Sequence, residues 1–121
     1  MNGKNVFPEE IEQELNVLPY KEEAIIVGIP SAEDERDLVV TLKLVYNPEG
    51  FEGKTPEEIN AIVKADVEKI NDKLPPYKRI KRVYTTDEPM EKTSTQKVKR
   101  FVETQKIIDE EKAEKLRREE A

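Results

Sequence analysis

The chain has 121 residues, of which 40% are charged, a net charge of -6, and neither cysteine nor histidine. This length is enough for about one domain with a modest core. The missing residue types exclude disulfide frameworks, thiolate zinc sites and Ser-His-Asp triads, so any chemistry must use carboxylates, lysines, hydroxyls and backbone amides.

The first part of the chain predicts a short helix followed by two strands. Pro8 can begin a helix without losing a needed N–H, and two glutamates follow it, so we expect a helix over residues 8 to 16. The apolar run "AIIVGIP", from residue 24, suits a strand covered on both faces, although a short buried helix has the same pattern. Residues 38 to 46 alternate as a strand does, with one side formed by Leu38, Val40, Leu42, Leu44 and Tyr46.

The rest of the chain predicts a helix, a strand and a final helix. Thr55, Pro56 and Glu58 have the spacing of a capping box with proline at the first helical position. The apolar stripe that follows consists of Ile59, Ile62, Val63, Val67, Ile70 and Leu74. The segment "RIKRVYTT" indicates a third strand, and the helix formers after Phe101 indicate a C-terminal helix that is solvated toward its end.

The element order α-β-β-α-β plus a C-terminal helix predicts an α+β fold. We expect a small two-layer domain in which a sheet of about three strands carries the helices. No apolar run approaches the ~20 residues of a membrane helix, and the N-terminus lacks a secretory signal. A cytoplasmic protein without a transmembrane segment is therefore expected.

Two short motifs invite functions that their spacing does not support. "EGKT" ends like a phosphate-binding loop, but the position that requires the first glycine is Pro48, and Thr55 is better explained as a helix cap. "SAEDERD", beginning at Ser31, lacks the ligand alternation and central glycine of a calcium loop, so we expect a solvated turn there. No metal site is predicted.

The basic residues are concentrated in the C-terminal part of the chain. Residues 1 to 72 contain 7 basic and 17 acidic side chains, whereas residues 73 to 121 contain 14 basic and 10 acidic ones. This distribution leaves open a stand-alone binding module whose basic strand and tail contact an acidic partner or RNA. Few aromatic residues interleave with the bases and no RNA-binding motif is present, so the sequence favours no nucleic-acid partner.

The segment "EPMEKTSTQKVKRF" resembles the last conserved motif of the adenylate-forming (AMP-binding) enzymes, and most closely that of the long-chain fatty acid–CoA ligases. There a proline leads through a Thr/Ser-rich turn into a Gly-Lys-Ile-x-Arg run, and Gln96 stands here in place of the glycine. The matching residues are Pro89, Thr93, Thr95, Lys97, Val98 and Arg100. "GKNVFPEEIE" and "AIIVGIP" resemble the segments that follow the family's interdomain hinge.

The resemblance implies that residues 1 to 121 are the C-terminal domain of an acyl-CoA synthetase. A globular core with the catalytic-lysine loop is expected over residues 1 to 98, and a helical tail over residues 99 to 121. The large N-terminal domain, which binds ATP and the carboxylic acid in the family, is absent from this sequence. An isolated fragment without ligase activity is therefore expected, and peripheral membrane association of a full-length enzyme stays open.

The resemblance also implies roles for particular residues. Lys97 is expected to assist adenylation, in which a fatty acid attacks ATP with Mg²⁺ present, and Thr93, Thr95 and Arg100 to support its motif. After a rotation of the small domain, CoA forms the thioester. The residues expected near CoA are Gly3, Lys4 and Asn5.

Overall fold

The computed structural model describes residues 8–31 and 36–120. The chain divides into two compact units, Met1–Pro89 and Met90–Ala121. Two regions singled out in the sequence lie outside the described residues: the segment Gly3, Lys4 and Asn5, and most of the turn that follows Ser31. The expected division into a core over residues 1 to 98 and a tail over residues 99 to 121 stays a prediction.

The first unit is an α+β domain, as predicted. Its helices are α1 (Pro8–Glu14) and α2 (Pro56–Asn71), and its strands are β1 (Lys21–Pro30), β2 (Leu38–Tyr46) and β3 (Arg82–Thr86). The sheet order is β1-β2-β3. β1 and β2 are antiparallel, and β3 is parallel to β2 because α2 provides the crossover that a parallel pair requires.

One hydrophobic core joins the helices α1 and α2 to the sheet. The predicted stripe of α2 supplies Ile59, Val63, Val67 and Ile70 to it. The other members of this core are Ile11, Leu15, Leu18, Ile26, Val40, Leu42, Leu44, Tyr46, Phe51 and Ile80. Three successive residues of β1 are buried, Ile25, Ile26 and Val27, as expected for a strand covered on both faces. Leu38, predicted on the apolar side of β2, is 37% exposed because it is the strand's first residue.

Helix α1 also satisfies a backbone group of the edge strand β1. The Glu12 carboxylate accepts a hydrogen bond of 2.8 Å from the Ile26 N–H. A side chain of a neighbouring helix that covers an edge strand discourages pairing of that edge with another chain. The Glu12 side chain therefore helps to protect the edge of β1.

The third strand begins later than the sequence pattern indicates. The buried Asn71 side chain pairs with both backbone groups of Ile80, donating to its carbonyl at 2.9 Å and accepting from its N–H at 2.8 Å. Ile80 is thus held to the end of α2 instead of the sheet, and β3 starts at Arg82. This explains why Ile80 and Val83 are out of phase with strict alternation.

The second unit consists of a short hairpin and the C-terminal helix α3 (Arg100–Glu120). The helix was predicted, and residues 112 to 117 are exposed, as expected from their composition. Within the unit, Met90, Glu103 and Ile107 are buried. A buried glutamate on a helix that is otherwise highly charged needs a partner, which leads to the arrangement around the hairpin.

Candidate functional site

Residues 91 to 99 form a small hairpin, which we call the Lys97 hairpin. Lys92 and Val98 form an antiparallel bridge. The Thr93 N–H donates to the Lys97 carbonyl at 2.8 Å, and the Lys99 N–H donates to the Glu91 carbonyl at 2.9 Å. These bonds place Lys97 at the end of a tight turn, with its backbone fixed on both sides.

The two threonines of the motif lie together inside this turn. The Thr93 and Thr95 hydroxyl oxygens are 3.0 Å apart, and the Thr93 hydroxyl also accepts from the Lys97 N–H at 3.2 Å. The Gln96 N–H donates to the Thr93 carbonyl at 2.9 Å. A short hydroxyl side chain that bonds to nearby backbone is typical of a stable turn. Thr93 is therefore the central polar residue of the turn.

Gln96 occupies an unusual backbone conformation. Its φ is 66°, in the left-handed region where a Cβ approaches the following carbonyl. Glycine adopts this conformation without that cost. Within the hairpin, the position with positive φ is thus the one at which the motif that this segment resembles has a glycine.

The Lys97 side chain is exposed. Its ammonium makes no hydrogen bond or ion pair with residues 8–31 or 36–120, whereas its backbone is bonded to Thr93. The ten residues from 91 to 100 contain four basic side chains and one acidic one. The arrangement presents a cation on an ordered backbone, which suits an anionic ligand supplied from elsewhere.

Arg100, the remaining motif residue, begins α3 immediately after the hairpin. Its carbonyl accepts from the Thr104 hydroxyl at 2.7 Å. The side chain of Arg100 is half-buried, unlike that of Lys97. The structure therefore brings Thr93, Thr95 and Lys97 together in the turn and places Arg100 in the adjoining helix.

A charged network at the base of the hairpin was missed in the sequence. The Glu103 carboxylate accepts from the Glu91 N–H at 3.1 Å, and the Lys106 ammonium lies 2.9 Å from the Glu91 carboxylate and 3.4 Å from that of Glu103. The hydrogen bond to Glu91, with smaller contributions from Glu103, raises the pKa of Lys106. Glu103 lies one turn before Ile107 on the same helix face. A carboxylate on an apolar helix face was the sequence feature that could have revealed this network.

No group of three or more carboxylates fit to hold a metal ion occurs among the residues that the structure describes. Within the same residues, no helix is long and apolar enough to cross a membrane.

Comparison with protein families gives one match over most of the chain. The family described as AMP-binding enzyme C-terminal domain matches residues 1–110. No curated protein matches the chain at a significant level. The family match includes the whole Lys97 hairpin and the beginning of α3.

Solved structures of larger proteins have the same fold in part of their length. ATP-bound MatB from Rhodopseudomonas palustris is 26% identical, with a TM-score of 0.65, and the match covers 86% of this chain and 18% of that chain. The anthranilate CoA ligase AuaEII in complex with anthranoyl-AMP is 25% identical, with a TM-score of 0.67, and 84% and 18% are covered. A Mycobacterium tuberculosis fatty acyl CoA synthetase is 22% identical, with a TM-score of 0.62 and coverage of 86% and 18%, which supports the fold alone. The chain thus spans less than a fifth of these three proteins.

Proposed function

The chain belongs to the AMP-binding enzyme C-terminal domain family, and we propose that it is the small domain of an ATP-dependent ligase that joins a long-chain fatty acid to CoA. The observation that carries the proposal is the exposed ammonium of Lys97 on a turn whose backbone is bonded on both sides. The long-chain assignment rests on the resemblance of "KTSTQKVKRF", residues 92 to 101, to that branch of the family.

In the first half-reaction a carboxylate oxygen attacks the α-phosphorus of ATP, forming an acyl-adenylate and releasing pyrophosphate. Negative charge collects on the carboxylate and α-phosphate oxygens as they approach. The ammonium of Lys97 is a compact charge on a flexible stem, so it can contact both groups of oxygens. It assists by stabilising this charge and by keeping the reactants in line.

In the second half-reaction the CoA thiol attacks the acyl carbonyl, AMP leaves, and the thiol proton is released. A rigid-body rotation of the small domain between the two steps would withdraw Lys97 and bring another surface to the thiol. We place Gly3, Lys4 and Asn5 on that surface, by their resemblance to the segment after the family's hinge. This chain supplies no nucleotide pocket in the proposal, so ATP, its Mg²⁺ and the fatty acid bind to a partner adenylation domain.

The proposal is tested by acid-dependent exchange of pyrophosphate into ATP, measured on the complete ligase that contains this chain. A panel of long-chain fatty, short dicarboxylic and aromatic acids should give the fastest exchange with the long-chain acids. Lys97→Ala should lower exchange by about 10²–10³, the usual loss when one charge-stabilising group is removed. Lys112→Ala, which removes an exposed lysine of α3, is the matched control and should leave exchange unchanged.

Two results would contradict the proposal. Full exchange activity in Lys97→Ala would remove Lys97 from the first half-reaction. Preference for an aromatic or dicarboxylic acid would keep the ligase class and overturn the long-chain assignment.

A further inference from the structure

The Lys97 hairpin is too short to be stable by itself. One bridge, between Lys92 and Val98, joins its two sides. An isolated two-stranded hairpin is marginally stable at best in water, even when it is longer than this one. An ordered position for Lys97 therefore depends on an anchor outside the turn.

Glu91, at the base of the hairpin, has three attachments within the second unit. Its carbonyl accepts from Lys99 at 2.9 Å, its N–H donates to Glu103 at 3.1 Å, and its carboxylate lies 2.9 Å from the Lys106 ammonium. Two of these attachments come from α3. The base of the hairpin is thus tied to the helix through backbone and side chain together.

Glu103 is the buried member of this network. Its side chain is 1% exposed, whereas those of Lys106 and Glu91 are about half exposed, at 47% and 52%. Burying a carboxylate is unfavourable unless it is paired and hydrogen-bonded, so an apolar residue would suit the same position if packing were its only task. The hydrogen bond to the Glu91 N–H gives the carboxylate a directional role that an apolar side chain cannot perform.

We propose that Glu103 is a positioning residue that ties the base of the Lys97 hairpin to α3, with Lys106 bridging Glu103 to Glu91. It acts through the backbone of Glu91 and does not contact the reacting atoms. Its effect on catalysis rests on the proposed function of Lys97, because a misplaced ammonium stabilises the adenylation step less well. Its effect on the hairpin does not depend on that function.

The structural test is amide hydrogen exchange, measured by NMR on the 121-residue chain. Glu103→Ala should lower the protection of the Glu91 and Lys99 amides by about tenfold, since a hydrogen bond to a charged group is lost. Glu103→Gln keeps an oxygen that can accept from Glu91 and should restore most of the protection. Glu110→Ala, an exposed glutamate on the same helix, is the control and should change neither amide.

The catalytic test uses the same variants in the complete ligase. Glu103→Ala should lower kcat of pyrophosphate exchange about tenfold, leave KM for ATP unchanged and leave CoA-dependent consumption of a supplied acyl-adenylate unchanged. Glu103→Gln should recover most of the exchange rate. If Glu103 only stabilised the fold, Glu103→Ala would lower the rates of both half-reactions together.

The outcomes separate this proposal from that for Lys97. Unchanged protection in Glu103→Ala, or equal losses in the alanine and glutamine variants, would overturn the positioning role. If Lys97→Ala has full exchange activity, the function of Lys97 fails, while hydrogen exchange still decides whether Glu103 holds the hairpin. Unfolding of the second unit by Glu103→Ala with normal protection in Glu103→Gln would support the proposal.

Discussion

Gln96 shows how one residue can be locally unfavourable and still fit its turn. A non-glycine residue in the left-handed region costs about 1–2 kcal/mol, and φ is 66° here. The turn compensates with the bonds from the Gln96 and Lys97 amides to Thr93. A glycine would avoid the steric cost but would lose about 0.5–1 kcal/mol more in conformational entropy on folding.

Gln96→Gly should therefore stabilise the hairpin slightly, by up to about 1 kcal/mol. Hydrogen exchange at the Thr93 and Lys99 amides should slow by up to about fivefold. Faster exchange in Gln96→Gly would show that the entropic cost of glycine outweighs the steric cost of the left-handed conformation.

Gly53→Ala is the reverse experiment, because Gly53 has φ 78° with open space around its Cβ position, so only backbone strain opposes the alanine. It should destabilise the first unit by about 1 kcal/mol, measured by urea unfolding.

Asn71 is the residue on which the end of α2 and the start of β3 most depend. Asn71→Ala leaves the buried N–H and carbonyl of Ile80 without their partner, at about 1–3 kcal/mol for each group. The expected loss is about 3 kcal/mol in the free energy of unfolding. Asn60→Ala, on the same helix, removes a side chain that donates to the Thr85 hydroxyl at 3.1 Å, so it should cost about 1 kcal/mol or less. Equal losses in urea unfolding would contradict this account.

At the scale of elements, helix α2 is specified at its beginning by its own sequence. The Thr55 hydroxyl accepts from the Glu58 N–H at 3.2 Å, and the Glu58 carboxylate accepts from the Thr55 N–H at 3.1 Å, which is the predicted capping box. The hydrogen bond from the Thr55 backbone is the main cause that lowers the pKa of Glu58 below its ordinary value of 4.5. Thr55→Ala should cost about 1 kcal/mol of stability.

The lowered pKa gives this cap a definite pH dependence. Because the folded pKa lies below the unfolded one, the stabilisation is present above pH 4.5 and is lost as pH falls through the lowered value. The stability difference between the unsubstituted chain and Glu58→Gln should accordingly be largest near neutral pH and disappear in acid. Urea unfolding across this range measures it. A difference that grows on acidification would contradict the cap assignment.

The elements were predictable where the signal is local. The apolar stripe of α2, its capping box and the strand β2 each have a signal in neighbouring residues, and each of these elements is confirmed. The alternation within β2 does not carry over into burial, because Thr41 and Val45, on the side opposite Leu42 and Leu44, are buried as well. The start of β3 was not predictable, because it is set by a bond from Asn71 to a residue nine positions later. The exposure of Leu38 likewise follows from its place at a strand end and not from its residue type.

Only the turn residues of the candidate site were predictable from the sequence. The threonines and Lys97 form a motif within five residues, so resemblance could point to them. Glu103 and Lys106 were missed because their partner Glu91 lies more than ten positions earlier, and only the folded hairpin brings the three together. The left-handed backbone of Gln96 had a weak signal in the sequence, because the motif that the segment resembles has a glycine at this position.

At the scale of the whole molecule, the charge distribution agrees with the proposal that the Lys97 hairpin contacts anionic substrates. The acidic first unit contains the core and the sheet, whereas residues 91 to 100 have an excess of three positive charges. The chain spans less than a fifth of the solved proteins that it matches and presents the exposed ammonium of Lys97 on its hairpin. We therefore expect the 121-residue chain alone to catalyse no acid-dependent pyrophosphate exchange.

The central claim is that Lys97 acts in one half-reaction and not in the other. The most direct measurement is the ratio of the two rates in the complete ligase carrying Lys97→Ala: pyrophosphate exchange, and consumption of a supplied acyl-adenylate by CoA. We predict that exchange falls by about 10²–10³ while thioester formation keeps its rate. An equal loss in both half-reactions would contradict the claim.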